Sequence, residues 1–237
     1  DWGTTYAGHF MLEAEKKGFV LPLTFKSNFI NYQRNLARNW RPNYNSYSRD
    51  LEQAYRLYTL ALAGSPDLSA MNRLREYNKI SNEAKWRLAA AYALVGQKEA
   101  SDEILTQTTL NFEGYNYYNY GSKTRNKAMA LETMLLTNNN NVKDLAKSIA
   151  KDLSSNQWMS TQTTAYSLLA IGKMVVKNGG KAIHVVLTSD DKKDQINTSN
   201  SLLQRTLKVV KGMNTISIKN NDNNVVYARI VNSGKLP

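Results

Sequence analysis

The sequence predicts a mainly α fold, built as a ring of helical hairpins (an α/α toroid), followed by a small antiparallel β unit. Three observations carry this. From Thr4 to about Val176, apolar residues recur at helical spacing, and most breaks fall at Gly, Pro or Asn clusters. Five helical segments repeat a small residue, usually beside a large aromatic, and the aromatics fall at unequal intervals. Beyond Gly179-Gly180 the chain turns to short β-branched runs.

Each element has its own signal. The first helix reads Thr4 to Lys17, with Tyr6, Phe10 and Ala14 on one face and Gly18 as the left-handed residue that ends it. Pro22 opens a second helix through Trp40, which Arg41-Pro42 stops. Ser48 to Glu52 starts a third, with Ala54, Leu57, Tyr58 and Ala61 as its apolar stripe. A turn at Gly64-Ser65-Pro66-Asp67 leads into a fourth, Leu68 to Tyr77. Ser81 caps a fifth that runs through Leu94 to Gly96, although Ala84 at the third position rules out a capping box. Glu99 to Gln107 is the sixth. After a Tyr- and Asn-rich connection, Phe112 to Gly121, come Ser122 to Leu136, Val142 to Leu153 and Thr161 to Val176. All nine read as amphipathic. The strand candidates are Ala182–Thr188, Thr206–Val210, Thr215–Ile218 and Val225–Val231. The expected division is a helical domain over 1–179 and a β-rich segment over 180–237. At that size the second has little core of its own.

Bulk composition narrows the function classes. The 237 residues are 42% hydrophobic and 21% charged, which disfavours disordered and fibrous classes. No stretch approaches the roughly 18 apolar residues of a membrane span, so none is expected. The chain opens on Asp1 without a leader and reads as a processed or excised piece. With no cysteine, these residues form no disulfide, thiolate site or cysteine nucleophile. A net charge of +12 favours anionic partners in general, yet Lys and Arg are scattered over successive polar faces rather than gathered on a stripe, so nucleic acid is not expected as a partner.

The repeated segments are Thr4-Thr5-Tyr6-Ala7, Glu52-Gln53-Ala54-Tyr55, Ala84 to Ala89, Asn126 to Ala130 and Thr163 to Ser167. A second, less distinctive helix tends to follow, which suggests paired helices whose small residues allow close approach. Trp86, Leu88, Tyr92, Gly96, Glu99 and Ala100 look like one tetratricopeptide unit. Such arrays keep a 34-residue period, whereas the aromatic markers here fall at Tyr6, Tyr55, Trp86 and Tyr166. Unequal spacing suits a ring of hairpins better.

Two segments resemble a known family. Trp158-Met159-Ser160-Thr161-Gln162-Thr163-Thr164-Ala165-Tyr166-Ser167-Leu168-Leu169-Ala170 resembles the late helix of the thioester domain in α2-macroglobulins and complement components. Thr5 to Ala14, with Gly18 and Pro22, resembles an earlier helix of that domain in bacterial members. Ala54 to Tyr58 and Lys85 to Tyr92 are similar to the bacterial branch in the same order. Gly212 to Ile218 and Val226 to Arg229 resemble the resumed CUB-like domain. The resemblance implies an incomplete toroid, lacking its opening helices, inside a large protease-trapping protein that is periplasmic, outer-membrane-anchored or secreted. Its partners would be other domains of the same long chain and target proteases. The family's Cys-x-Glu-Gln would lie upstream of Asp1. Its catalytic-histidine loop maps to Trp40–Tyr47, including Asn43, Tyr44 and Asn45, where no histidine stands.

No catalytic residue, metal ligand or cofactor is therefore expected within the chain. His9 is read as a hydrogen-bonded structural residue, since no acidic orienter is evident and His184 lies in a strand. Glu13 and Glu15 point to different faces, and no paired-carboxylate site emerges from Glu13, Glu15, Asp50 and Glu52. Tyr115, Tyr117, Tyr118 and Tyr120 form a candidate interaction loop for carbohydrate or protein, or a connection packed across the toroid mouth. Tyr55, Trp86, Tyr92 and Tyr166 read as core rather than as a sugar-binding lining. The alternatives are an α/α-toroid polysaccharide lyase or glycosidase, and a helical-repeat scaffold.

Overall fold

A computed structural model describes residues 1–42, 49–112, 114, 119–139, 141–179, 182–190, 192–200, 203–208, 212–223, 226 and 228–231. They form two compact units, Asp1–Lys173 and Met174–Pro237. The described residues hold nine helices: α1 (Trp2–Lys16), α2 (Phe25–Asn39), α3 (Asp50–Leu62), α4 (Leu68–Arg75), α5 (Asn82–Leu94), α6 (Lys98–Leu105), α7 (Lys123–Leu136), α8 (Val142–Leu153) and α9 (Thr161–Gly179). Three strands follow, β1 (Ile183–Ser189), β2 (Lys192–Thr198) and β3 (Ile216–Asn220). The protein is thus mainly α with a small antiparallel β unit. No described helix is long and apolar enough to cross a membrane.

Local chemistry sets the helix ends. Asp1 accepts the Thr4 N–H at 3.2 Å, so α1 starts two residues before the periodicity does. Gly18, at φ +89°, ends it. Helix α2 begins three residues later than Pro22. The Phe25 N–H bonds the Pro22 carbonyl in a turn, and Thr24 at φ +67° breaks the helical path. Asp67 and Ser122 cap α4 and α7 through the N–H groups of Ala70 and Arg125. Ser81 caps α5 through Ala84.

The helices divide by burial, and the expectation that all nine are amphipathic is corrected here. Helices α3, α5 and α7 are buried on nearly every side, whereas α8 hides only Val142, Leu145, Ala146 and Ile149. Ala54, Ala84, Ala89, Ala91, Ala128 and Ala130 are inaccessible and leave room for α3 to pack on α5 and α5 on α7. Helices α2, α6 and α8 each lie against one of these, on α3, α5 and α7 respectively. The buried helices fill the core, so they cannot carry a polar face of ordinary width.

In the second unit the sheet order is β2-β1-β3, antiparallel throughout. Val185, Leu187 and Ile196 form its small core, with Leu203, Leu207 and Val226 packed against them. Two strand expectations fail. Residues 206–208, and 226 with 228–231, are not in strands; Leu207 and Val226 cover the cluster by side-chain packing instead of joining the ladder. One strand is unanticipated. Lys192–Thr198 reads as a polar loop, yet as an edge strand it needs only Ile196 inward, and Asp190 at φ +49° supplies the turn before it.

Candidate functional site

The helical unit concentrates charge in its interior. Helix α1 supplies His9 and Glu13, one turn apart, and α3 supplies Tyr55 and Tyr58. Arg87 comes from α5 and Glu132 from α7. Tyr166 and Lys173, two turns apart, come from α9. These spacings put each pair on one face, and the core brings the faces together. Arg87 Nη1 donates to Glu132 Oε2 at 2.6 Å with both side chains essentially inaccessible. The Arg87 guanidinium stacks 4.2 Å from the centre of the Tyr58 ring, with the Tyr55 and Tyr166 rings at 5.5 and 6.0 Å. Lys173 Nζ bridges two carboxylates, donating to Glu13 Oε1 at 2.6 Å and to Glu132 Oε1. His9 Nδ1 lies 3.0 Å from the Tyr55 hydroxyl, while its Nε2 faces Glu13 and Glu132 at 3.5 and 3.9 Å.

Electrostatics follow from that geometry. Burial opposes ionisation of Glu13, but His9 and Lys173 outweigh it and hold the carboxyl down to about 2. Burial likewise opposes the Glu132 charge, and Arg87 and Lys173 reverse it, leaving the group well below the usual carboxylate range. Burial lowers His9 from its ordinary value, with Glu13 and Glu132 only partly opposing, so the imidazole is neutral at pH 7. Two carboxylates therefore face one guanidinium and one ammonium. Within this cluster the charges balance.

A second buried cation is arranged differently. Among the described residues, no carboxylate is in hydrogen-bond contact with Arg125 on α7: Nη1 donates to the Asn119 carbonyl and side chain and to Gln162, Nε and Nη2 donate to Asn126, and the guanidinium lies 4.7 Å from the centre of a Trp2 ring. Burial lowers its pKa to about 10. Asn119 belongs to the Tyr- and Asn-rich connection, and Arg125 ties that residue to α7.

The expected site residues fare unevenly. Asn43, Tyr44, Asn45, Tyr115, Tyr117 and Tyr118 lie outside the described residues. Tyr120 is exposed, at φ +51°. Tyr55, Trp86, Tyr92 and Tyr166 are buried, as core residues should be. His184 pairs with Asp222 at 3.1 Å within the β unit. The reading that His9 has no acidic orienter is corrected: Glu13 lies one turn along the same helix, and the i,i+4 spacing was the available signal. Glu132, Arg87 and Lys173 went unread. For Arg87 and Glu132 the signal was a charge embedded in Trp86-Arg87-Leu88-Ala89-Ala90 and Ala130-Leu131-Glu132-Thr133-Met134. The donor atoms of His9, Glu13 and Glu132 lie within 4.8 Å of one another, the spacing of a metal-ligand set.

No protein-family model matches the sequence, and no curated protein aligns with it significantly. Solved structures do match. The native conformation of E. coli alpha-2-macroglobulin aligns with 92% of this chain at TM-score 0.64 and 16% identity. Salmonella alpha-2-macroglobulin reacted with methylamine aligns with 84% at TM-score 0.65 and 19% identity. In both cases the chain spans 14% of the longer protein. The E. coli piece running from domain MG7 to the C-terminus aligns with 92% at TM-score 0.65 and 15% identity, and there the chain spans 34%. Over at least 84% of its length, therefore, the chain has the fold of a segment of the bacterial alpha-2-macroglobulins, the family its ordered helix motifs resemble.

Proposed function

We propose that the chain is part of a bacterial α2-macroglobulin-like protease-trapping protein, in which the helical unit is a structural and interaction module without catalytic residues of its own. The observation that carries this reading is the shared fold, which runs through helices and sheet alike and accompanies the motifs at Thr5–Ala14 and Trp158–Ala170. The interior charges support it. His9, the natural general base, is 2% exposed and out of reach of any substrate. In this reading 1–179 is the thioester-type helical domain, an incomplete α/α toroid, and 180–237 is a CUB-like segment. The partners are the other domains of a longer chain, and target proteases through the intact molecule. The location is the periplasm, the outer membrane or the exterior.

Protease challenge of the full-length protein tests the proposal. Cleavage is expected to leave a protease that still hydrolyses small chromogenic peptides but is blocked from large protein substrates. Full activity on large substrates overturns the reading, as does a native polypeptide no longer than these 237 residues on an immunoblot. Methylamine incorporation separates a covalent trap from a non-covalent one. The chain has no cysteine, so a thioester would need one elsewhere. Cell fractionation places the protein.

A further inference from the structure

The ammonium of Lys173 sits where a metal ion would. It bridges Glu13 Oε1 and Glu132 Oε1, and the imidazole of His9 closes the third side. His9 Nε2 is buried without a hydrogen-bond partner and faces both carboxylates. A tetrahedral ion with ligands at about 2.1 Å spaces them about 3.4 Å apart. His9 Nε2 and Glu13 Oε1 are 3.5 Å apart, and all three donors lie within 4.8 Å. We propose that His9, Glu13 and Glu132 form a binding site for a borderline divalent cation, Zn²⁺ or its analogue Co²⁺, in which Lys173 is the resident stand-in that the metal displaces.

Four features support the exchange. One imidazole nitrogen with two carboxylate oxygens is a donor set suited to zinc. Ligation through Nε2 requires the proton on Nδ1, and the Tyr55 hydroxyl at 3.0 Å is placed to accept it, the outer-shell partner that orients a metal-bound histidine. Arg87 occupies Glu132 Oε2 and leaves Oε1 for the metal, so the ligand is held in place whichever cation is present. Lys173 is the one of the two cations with a way out. Its side chain is 28% exposed on a long flexible stem, whereas that of Arg87 is fully enclosed. Its departure would leave a fourth coordination position for a water.

The test uses the 237-residue chain, freed of any histidine tag. Isothermal titration with Zn²⁺ is expected to show one site, and Co²⁺ to give the visible absorption of a tetrahedral ion with nitrogen and oxygen ligands. Lys173→Met removes the competing ammonium and is expected to bind several-fold more tightly, with Zn²⁺ raising its Tm more than that of the wild type. His9→Gln and Glu13→Gln are expected to weaken binding about tenfold or more. Glu13→Gln leaves the Arg87–Glu132 pair intact, so it reports on the metal even if changes deeper in the core unfold the chain. His184→Asn removes the histidine of the β unit and is expected to bind as the wild type does. A wild-type chain that takes up no Zn²⁺ overturns the proposal. Binding that survives His9→Gln and Glu13→Gln undiminished, or that is lost in His184→Asn, also overturns it.

Discussion

Arg87 and Glu132 illustrate what a residue costs when its partner is taken away. Both side chains are essentially inaccessible, so water does not replace a lost partner; Glu132 keeps Lys173 if Arg87 goes, whereas Arg87 loses its carboxylate if Glu132 goes. Breaking such a pair typically costs about 3–5 kcal/mol. Glu132→Leu is expected to lose about that much in urea denaturation, and the double variant Arg87→Met/Glu132→Leu to recover a large part of it. The same cluster makes stability fall in acid. His9 in the fold resists the proton that the unfolded chain takes up below pH 6.5, so its contribution is complete above that value and is lost as the pH drops through it. Glu13 resists protonation in the fold down to about 2, so its contribution is complete above 4.5 and disappears between there and about 2. The urea midpoint is therefore expected to decline in two stages on acidification. His9→Gln should abolish the upper stage and also shrink the lower one, because His9 helps hold the Glu13 carboxyl down and only Lys173 would remain to do so.

At the scale of elements, the contact between α1 and α2 depends on one missing methyl group. A Cβ placed on Gly8 would lie 2.0 Å from Cε2 of the buried Phe29 ring, so the ring rests where any larger residue would stand. Gly8→Ala is expected to lower stability by about 1–3 kcal/mol through overpacking, despite the better helix propensity of alanine. Phe29→Leu in the Gly8→Ala background should restore part of the loss; thermal melts of the two variants decide it. The helix starts are held by single side chains. Asp67→Ala removes the acceptor for the Ala70 N–H at the head of α4 and is expected to cost about 1 kcal/mol in urea denaturation. Its ion pair with the largely exposed Arg38 adds little to that figure.

Across the whole molecule, stability should follow burial. Amides of α3, α5 and α7 are expected to exchange slowest with deuterium, and those of the edge strand β2 far faster, because its side chains other than Ile196 and Thr198 are exposed. Equal protection of β2 and α5 would contradict this ordering. The sequence by itself determined the helix count and order, the change to β structure near residue 180, and the bounds of α8, whose one-sided apolar stripe is a local property of spacing. It also placed Tyr55, Trp86, Tyr92 and Tyr166 in the core. It left β2 unread, because an edge strand with one inward residue has the composition of a loop. The charged cluster was likewise decided by tertiary structure. Local spacing relates His9 to Glu13, but Glu132, Arg87 and Lys173 come from three other helices, and only the packing of those helices removes the water that would otherwise hold their charges apart.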